Sequence, residues 1–325
     1  MYNTVKLEKG LYNLSGKSFT QALSELDPDS AYSGTELYGL DAFERQLKRF
    51  DIKISGVNSD MVEKFFETTE SAVLFPEFVK RAIRQGMENS VLGEIAAAQT
   101  KTNGADYRGL SVVTEENKPY STATAQGTAL PETSISLGSS LVTMNKYGRI
   151  INTTYEAVRQ QRLDVFAVTL RSIGANLSNA VLSQAVGVLT TGVTADTMTG
   201  ADFNYNELVA FWGKFEDYDM TTIIASPTSM AKILSFEQMK YACADFMSTG
   251  AVKTPFGSNL VKSTAVADTK LIGLDKKCAL EMINATDIIL ENDRLIDRQI
   301  DRTAVSVTTG FAKIIPEATR VLTIG

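Results

Sequence analysis

The sequence of 325 residues contains no histidine. Histidine is the commonest general base near neutral pH and the commonest metal ligand, and it completes the serine and cysteine catalytic triads. Its absence therefore argues against the most familiar classes of hydrolase active site. Glycine-rich phosphate-binding motifs are absent as well, so we expect neither an enzyme nor a bound cofactor.

Cysteine and long apolar runs are also scarce. Cys243 and Cys278 lie too far apart to suggest a metal site or a disulfide framework, and we predict two buried small apolar side chains. No apolar run approaches the roughly 20 residues that a bilayer crossing needs. The N-terminus, MYNTVKLEKGLYNLSG, has no apolar stretch of the signal-peptide type. We therefore expect no membrane partner and a protein that stays in the cytosol where it is made.

The composition is that of an ordinary globular protein, with 44% hydrophobic and 22% charged residues. The length is sufficient for two or three packed units. A formal net charge of −6 and a pI near 5.0 argue against a broad basic face that grips phosphate groups. Any contact with nucleic acid is therefore expected to be weak and local.

The N-terminal part, residues 1–70, is predicted to be an arm with short helices over 18–26, 35–50 and 61–67. In the second helix, apolar residues recur at spacings of three and four, which gives an amphipathic surface. Its apolar members are Leu37, Leu40, Phe43, Leu47 and Phe50. Amphipathicity alone leaves open whether this face packs within its own subunit or on a neighbour.

Residues 106–145 have a β-like pattern, and the polar stretch Thr114 to Glu132 divides it into two arms. We interpret this segment as a long hairpin, because a structureless loop of that length is unusual inside a compact domain. A helix is predicted next from Tyr155 to Leu189, with an approximate heptad pattern. Periodicity alone would also fit a core helix of any α/β protein.

From Phe203 onward the pattern is mixed α/β. Helices are predicted at 205–215 and 227–234, and strands at 221–226, 270–274, 279–283 and 287–290. The charged stretch ENDRLIDRQIDR follows at 291–302. The segment from Thr303 to Ile324 is again strand-like, with a break near Pro316.

Three segments, in this order along the chain, resemble tailed-bacteriophage major capsid proteins of the Hong Kong 97 fold. They are SAVLFPEFVKRAIRQG at 71–86, KYGRIINTTYEAVRQQRLDVF at 146–166 and TAVSVTTGFAKIIP at 303–316. The resemblance implies an α+β fold with six parts. These are an N-terminal arm (1–70), the start of a peripheral domain (71–105), an extended β-hairpin loop (106–145), a peripheral domain with a long spine helix (146–200), an axial α/β domain (201–302) and a return to the peripheral domain (303–325).

The same resemblance implies a shell protein of the virion that assembles in the bacterial host cytoplasm. Copies of the chain would form the hexamers and pentamers of an icosahedral shell that encloses double-stranded DNA. Further partners would be a portal and also a scaffold, a protease or decoration proteins, with packaged DNA in weak contact. An encapsulin-like nanocompartment is the alternative within the fold, and a soluble α/β enzyme is a third hypothesis from another class.

Assembly requires surfaces that become buried only when a neighbour is present. The arm helix, the hairpin and the charged stretch are the candidates, and no catalytic, cofactor-binding or metal-binding residue is proposed. Lys118 lies where one lineage of the family carries a crosslinking lysine, but no matching asparagine or glutamate is found, so that chemistry is not carried over. The candidate contact residues are Leu37, Leu40, Phe43, Leu47, Lys118, Asp293, Arg294, Asp297, Arg298, Asp301 and Arg302.

Overall fold

The structure is a computed structural model that describes residues 5–14, 16–88, 91–102, 104, 106–112, 123–130, 132–241 and 252–324. For residues 111, 158, 159, 292 and 294 it describes only the backbone. The predicted positions Lys118 and Cys243 lie outside the described residues. So does the side chain of Arg294.

In the part of the chain that the structure describes, four α-helices precede the first strand, and strands and helices are mixed after it. The α-helices are α1 (Phe19–Leu26), α2 (Ala42–Arg49), α3 (Thr69–Ala72), α4 (Phe75–Glu88), α5 (Tyr155–Gln160), α6 (Leu163–Thr190), α7 (Tyr205–Gly213), α8 (Pro227–Ser235) and α9 (Glu237–Tyr241). The strands are β1 (Ala98–Lys101), β2 (Leu110–Val112), β3 (Ile135–Leu137), β4 (Asn145–Thr154), β5 (Asp196–Thr197), β6 (Thr222–Ala225), β7 (Asn259–Lys262), β8 (Lys270–Leu274), β9 (Leu280–Leu295), β10 (Ile300–Lys313) and β11 (Thr319–Thr323).

The chain divides into two compact units. The first comprises Met1–Asn89, Gly148–Leu177 and Ile288–Ser306, and the second comprises Ser90–Tyr147, Ser178–Asp287 and Val307–Gly325. The boundaries fall inside α6, β4, β9 and β10, so these elements contribute residues to both units. The two units are defined by contacts within the chain, whereas the six parts expected from the family resemblance are defined by their roles in a shell. The six-part division stays a prediction.

The first unit has an aromatic and aliphatic core to which the N-terminal segment contributes fully. Phe65 packs on Phe78 of α4 at 5.4 Å between ring centroids, and Phe75 stacks on Phe166 of α6 at 6.1 Å. The hydroxyl of Tyr12 donates a hydrogen bond to the carbonyl oxygen of Val73. The segment before residue 71 therefore packs on the rest of its own unit. In an arm that only extended away from the unit, these side chains would be exposed to water.

A fully buried guanidinium joins α2 to the segment that follows α1. Arg45 of α2 donates to the carboxylates of Asp27 at 3.1 Å and of Asp29 at 2.7 Å. It also donates to the carbonyl oxygens of Leu40 and Asp27, and it lies over the ring of Tyr32. The Tyr32 hydroxyl donates to the second oxygen of Asp27. Because both side chains are removed from water, Arg45 is the cation that compensates the buried carboxylate of Asp27.

The predicted arm helix over 35–50 is shorter than expected. The structure has turns from Thr35 to Leu40, and the helix begins only after Asp41. Gly34 and Gly39 adopt φ values of 79° and 88°, a left-handed conformation that an α-helix cannot contain. Asp41 then caps the helix, because its carboxylate accepts from the amide of Glu44.

The predicted single helix from Tyr155 to Leu189 is two helices. Gln161 has an extended conformation, with φ −86° and ψ 138°, and its carbonyl oxygen accepts a hydrogen bond from the amide of Val62. The amide of Leu163 donates in turn to the carbonyl oxygen of Asp60. The break at Gln161 thus coincides with a contact to Val62, a residue about 100 positions earlier, which the local sequence pattern cannot indicate.

Helix α6 is 28 residues long, about 42 Å at 1.5 Å per residue. Its length and its mean hydropathy of 1.2 would by themselves permit a membrane crossing, contrary to the expectation that no run approaches that length. Buried residues nevertheless recur at spacings of three, four and seven, at Leu163, Phe166, Leu170, Leu177 and Val181, so one side of the helix packs against other parts of the chain.

The second unit contains a five-stranded sheet with the order β5–β11–β8–β6–β7. Its apolar core includes Leu208 and Phe211 of α7, Ile223 of β6 and Ile233 of α8. β11 pairs antiparallel with β8, Thr319 opposite Leu274. The end of the predicted return segment therefore belongs to the five-stranded sheet, in which β11 lies between β8 and β5.

A four-stranded sheet has the order β1–β9–β10–β4. The strands predicted at 279–283 and 287–290 are one continuous strand, β9, which also includes the first half of the charged stretch. The predicted gap is bridged because the hydroxyl oxygen of Thr286 accepts a hydrogen bond from the amide of Thr308 at 3.0 Å. A polar side chain therefore occupies a position in the strand ladder where the pattern suggested a break.

Candidate assembly interface

The hairpin presents an apolar face to solvent. β2 and β3 pair antiparallel, with Leu110 opposite Leu137 and Val112 opposite Ile135. Directly opposite residues share a face of a β-ribbon, as do residues two apart, so these four side chains lie on one side. Leu110, Ile135 and Leu137 are 53%, 67% and 68% exposed. An isolated two-stranded ribbon is marginally stable in water, so this exposed apolar face is a candidate contact surface.

The base of the hairpin is held by backbone and side-chain hydrogen bonds within the second unit. The amide of Val142 donates to the carbonyl oxygen of Tyr107, and the amide of Gly138 donates to that of Gly109, both at 2.8 Å. These bonds tie the two legs of the hairpin together. The side-chain amide of Gln184 in α6 donates to the carbonyl oxygen of Thr143 at 3.2 Å.

A buried carboxylate lies beside this base. Glu281 at the start of β9 is 7% exposed, and its Oε1 accepts a hydrogen bond from the Tyr107 hydroxyl at 2.6 Å. The hydroxyl of Thr100 in β1 donates to the same oxygen. The hydrogen bond to Glu281, together with partial burial, raises the pKa of Tyr107 above its ordinary value, so the tyrosine remains a neutral donor at physiological pH.

The charged stretch at 291–302 forms the end of the β9–β10 hairpin, with a turn at 296–299. Asp297 and Arg298 are adjacent and exposed, and their charged groups approach to 3.8 Å. Asp301 and Arg302 are half-buried in β10, and Asp293 is exposed in β9. Ile296, at the turn, is 81% exposed. The tip therefore combines an apolar residue with charges of both signs, and sequence reasoning identified only the charges.

The arm residues divide into two groups. Phe43 and Leu47 are almost fully buried in the core of their own unit, so they have little surface left for a neighbour. Leu37 and Leu40 are half-buried in the turns before α2. The structure thus favours packing within the subunit for the helix itself, and an intersubunit role of Leu37 and Leu40 stays a prediction.

Acidic and sulfur side chains do not assemble a metal site in the part of the chain that the structure describes. Glu216, Asp217 and Asp219 are exposed, as expected for a solvated surface. Cys278 is half-buried, which is less than predicted. Its burial, followed by the charge of Asp275, raises the pKa of its thiol to about 11 and keeps it protonated at neutral pH.

A family model described as "Phage capsid protein" matches residues 136–324, more than half of the chain. The chain belongs to this phage capsid protein family. A search of curated proteins finds no match. The family assignment makes this capsid protein a structural component of a virion and not an enzyme.

Solved structures with the same fold include several shells. The virus-like particle from Pyrococcus furiosus has a TM-score of 0.51 and 15% identity, over 76% of this chain and 98% of that one. The capsid of an empty GTA particle has a TM-score of 0.55 and 11% identity, over 72% and 89%. The holo-SrpI encapsulin complex from Synechococcus elongatus PCC 7942 has a TM-score of 0.50 and 10% identity, over 70% and 84%.

At these identities the likeness concerns the fold alone. It confirms that the capsid chain has the expected Hong Kong 97-like α+β fold.

Proposed function

We propose that the chain is the major capsid protein of a tailed phage and that its copies form the hexamers and pentamers of an icosahedral shell around double-stranded DNA. The observation that carries this proposal is the exposed apolar face of the β2–β3 hairpin. A face of this kind on a member of a capsid family is a surface prepared for another copy of the same chain.

The strength expected of this contact suits reversible assembly. Covering the exposed parts of Leu110, Ile135 and Leu137 would contribute about 3–6 kcal/mol, because full burial of one such side chain contributes about 1.5–3 kcal/mol. Such a contact is weak alone, and a misplaced subunit can leave. Repeated around a closed shell, contacts of this size give a stable particle.

Charge supports a nucleic acid cargo held without tight binding. The net charge of the chain is −6, and a wall that carries excess negative charge gains little from counterion release on phosphate contact. The net charge therefore supports a container that lets DNA move during packaging.

An encapsulin-like nanocompartment is the second candidate, and the fold likeness to the SrpI encapsulin favours it. In that case the shell would enclose a protein. The two functions differ in the molecule that the shell encloses and not in the fold of its subunits. The contents of purified particles therefore distinguish them.

Electron microscopy of the purified protein tests the proposal directly. We expect closed particles with five-fold and six-fold capsomers, and nuclease-protected double-stranded DNA in particles recovered together with a portal. Particles that contain a co-purifying protein and no DNA would contradict the phage capsid function and support the nanocompartment function. A chain that stays monomeric at high concentration, with any scaffold supplied, would contradict both. Portal, scaffold, protease and decoration partners stay predictions until such particles are analysed.

A further inference from the structure

The hairpin that carries the apolar face is attached to its own unit at a small number of points. Beyond Gly109 and before Gly138, the described strands β2 and β3 pair with each other and keep their leucines more than half exposed. The direction in which the apolar face points is therefore decided at the base, over Tyr107–Gly109 on one leg and Gly138–Met144 on the other.

Close backbone approach defines one side of this base. A methyl group added to Gly109 would come within 2.9 Å of the side chain of Ala312, and one added to Gly310 would meet Met144 and Thr143. The legs of the hairpin thus lie directly on β10. Such contacts prevent movement toward β10, but steric contact does not by itself prevent movement away from it.

The Tyr107–Glu281 hydrogen bond supplies the restraint in that other direction. The carboxylate oxygen that accepts from Tyr107 also accepts from Thr100, so its position is fixed from the β1 side as well. Glu281 is almost fully buried, and a hydrogen bond in such a water-poor site is electrostatically stronger than one in water. Because the carbonyl oxygen of Tyr107 accepts from Val142, the restraint reaches both legs.

We propose that Tyr107 and Glu281 form a positioning pair that fixes the direction of the assembly hairpin and, through it, the angle at which neighbouring subunits join. This inference rests on the proposed function and deepens it. The pair does not touch the neighbour. It acts by holding Leu110, which follows Tyr107 by three residues, and the rest of the apolar face in one orientation, so that subunits add with one curvature.

Three substitutions separate positioning from simple packing. Tyr107→Phe removes only the hydroxyl. Glu281→Leu removes the acceptor, whereas Glu281→Gln keeps an acceptor oxygen at the same place and should restore the restraint. Tyr205→Phe on α7 is the matched control, because it removes a tyrosine hydroxyl outside the hairpin and its base.

Two measurements on the full chain test the pair. Hydrogen exchange of the unassembled protein reports the order of residues 106–112 and 132–144, and electron microscopy reports particle diameter. In Tyr107→Phe and Glu281→Leu we expect exchange in these segments to be faster on the order of tenfold, as for loss of one buried hydrogen bond. We also expect a broadened diameter distribution, while exchange of the five-stranded sheet stays unchanged. The double variant should be no worse than either single variant.

Unchanged exchange and a single wild-type diameter in Tyr107→Phe would overturn the inference. So would equal defects in Glu281→Gln and Glu281→Leu, since the carboxylate would then matter for a reason other than accepting the hydroxyl. Failure of the wild-type chain to form particles would count against the proposed function instead. In that case hydrogen exchange still decides whether the pair positions the hairpin.

Discussion

Gly86 of α4 and Gly174 of α6 lie against each other where the two helices cross in the first unit. A methyl group added to Gly174 would stand 3.2 Å from the Cα of Gly86 and would overlap the carbonyl oxygen of Ile83. A methyl group on Gly86 would in turn overlap the carbonyl oxygen of Arg171. The absence of a side chain at both positions is therefore what allows the helix backbones to approach this closely.

We predict that Gly174→Ala destabilises the capsid protein by about 3 kcal/mol or more, because the helices must separate and their packing is lost. Chemical unfolding of the unassembled chain measures this change. Gly187→Ala in the same helix is the control, since its methyl group would meet nothing within 4 Å. Alanine has the higher helix propensity, so the control should be neutral or more stable by up to about 1 kcal/mol. Equal effects of the two substitutions would contradict the crossing contact.

The buried Arg45 gives a second prediction. Arg45→Met would leave the carboxylate of Asp27 without its cation in a position closed to water, and removal of one partner from a buried pair costs about 3–5 kcal/mol. Thermal or chemical unfolding of the whole chain measures the loss.

The exposed ion pair of Lys17 and Glu25 provides the comparison for Arg45. Both side chains are about half exposed or more, so Lys17→Ala should change stability by less than about 1 kcal/mol. A cost of Arg45→Met as small as that of Lys17→Ala would show that Asp27 finds another partner or water.

Local sequence signals were sufficient for helices with caps. α1 begins after Ser18, whose hydroxyl accepts from the amide of Gln21, and it ends at Asp27 before a proline, as predicted. α8 begins with Pro227 after Ser226, again as predicted. In these cases the residues that begin and end the helix lie within it or next to it.

Errors occurred where distant residues decide the outcome. The break at Gln161 depends on Val62, and the continuity of β9 through Thr286 depends on Thr308. The start of α2 is a different case, because the local capping box of Asp41 and Glu44 decides it, whereas the apolar spacing predicts a helix that begins at Thr35.

The candidate interface was predicted in outline and missed in detail. Alternating apolar residues indicated the hairpin, and its exposed face follows from the register of β2 and β3. Tyr107 and Glu281 are separated by 174 positions, and neither belongs to a motif. Only folding places them together, so a single sequence carries no signal for the pair.

Cys278 provides a prediction about pH. A thiol with a pKa of about 11 is almost wholly protonated at pH 8, and only the thiolate reacts with alkylating reagents. In a Cys243→Ser background we expect Cys278 to react on the order of 100-fold more slowly at pH 8 than an exposed cysteine introduced as Lys17→Cys. Its rate should rise about tenfold per pH unit toward pH 11, whereas the rate of the introduced cysteine levels off near pH 9. A plateau for Cys278 at pH 9 would contradict the raised pKa.

The apolar face of the hairpin gives the most direct prediction about assembly. Leu110→Ser and Leu137→Ser together remove two opposed leucines that are already more than half exposed in the single chain. Folding stability should therefore change by less than about 1 kcal/mol, while each contact with a neighbour loses about 2–3 kcal/mol of apolar burial. We expect unassembled, folded protein with an unchanged unfolding midpoint, and a fall in particle yield of at least tenfold by sedimentation.

Ser136→Thr is the matched control for this double substitution. Ser136 lies between Ile135 and Leu137 on β3, so its side chain points to the opposite face of the ribbon. A β-branched residue is well tolerated in a strand, and particle yield should stay at the wild-type level.

If the double leucine variant assembles as well as this control, the apolar face is covered by something other than a neighbouring copy. If the leucine variant fails to fold, the face packs within its own chain. Loss of particles with retained folding is the outcome that assigns the face to assembly, because only a contact absent from the monomer can be lost without cost to the monomer.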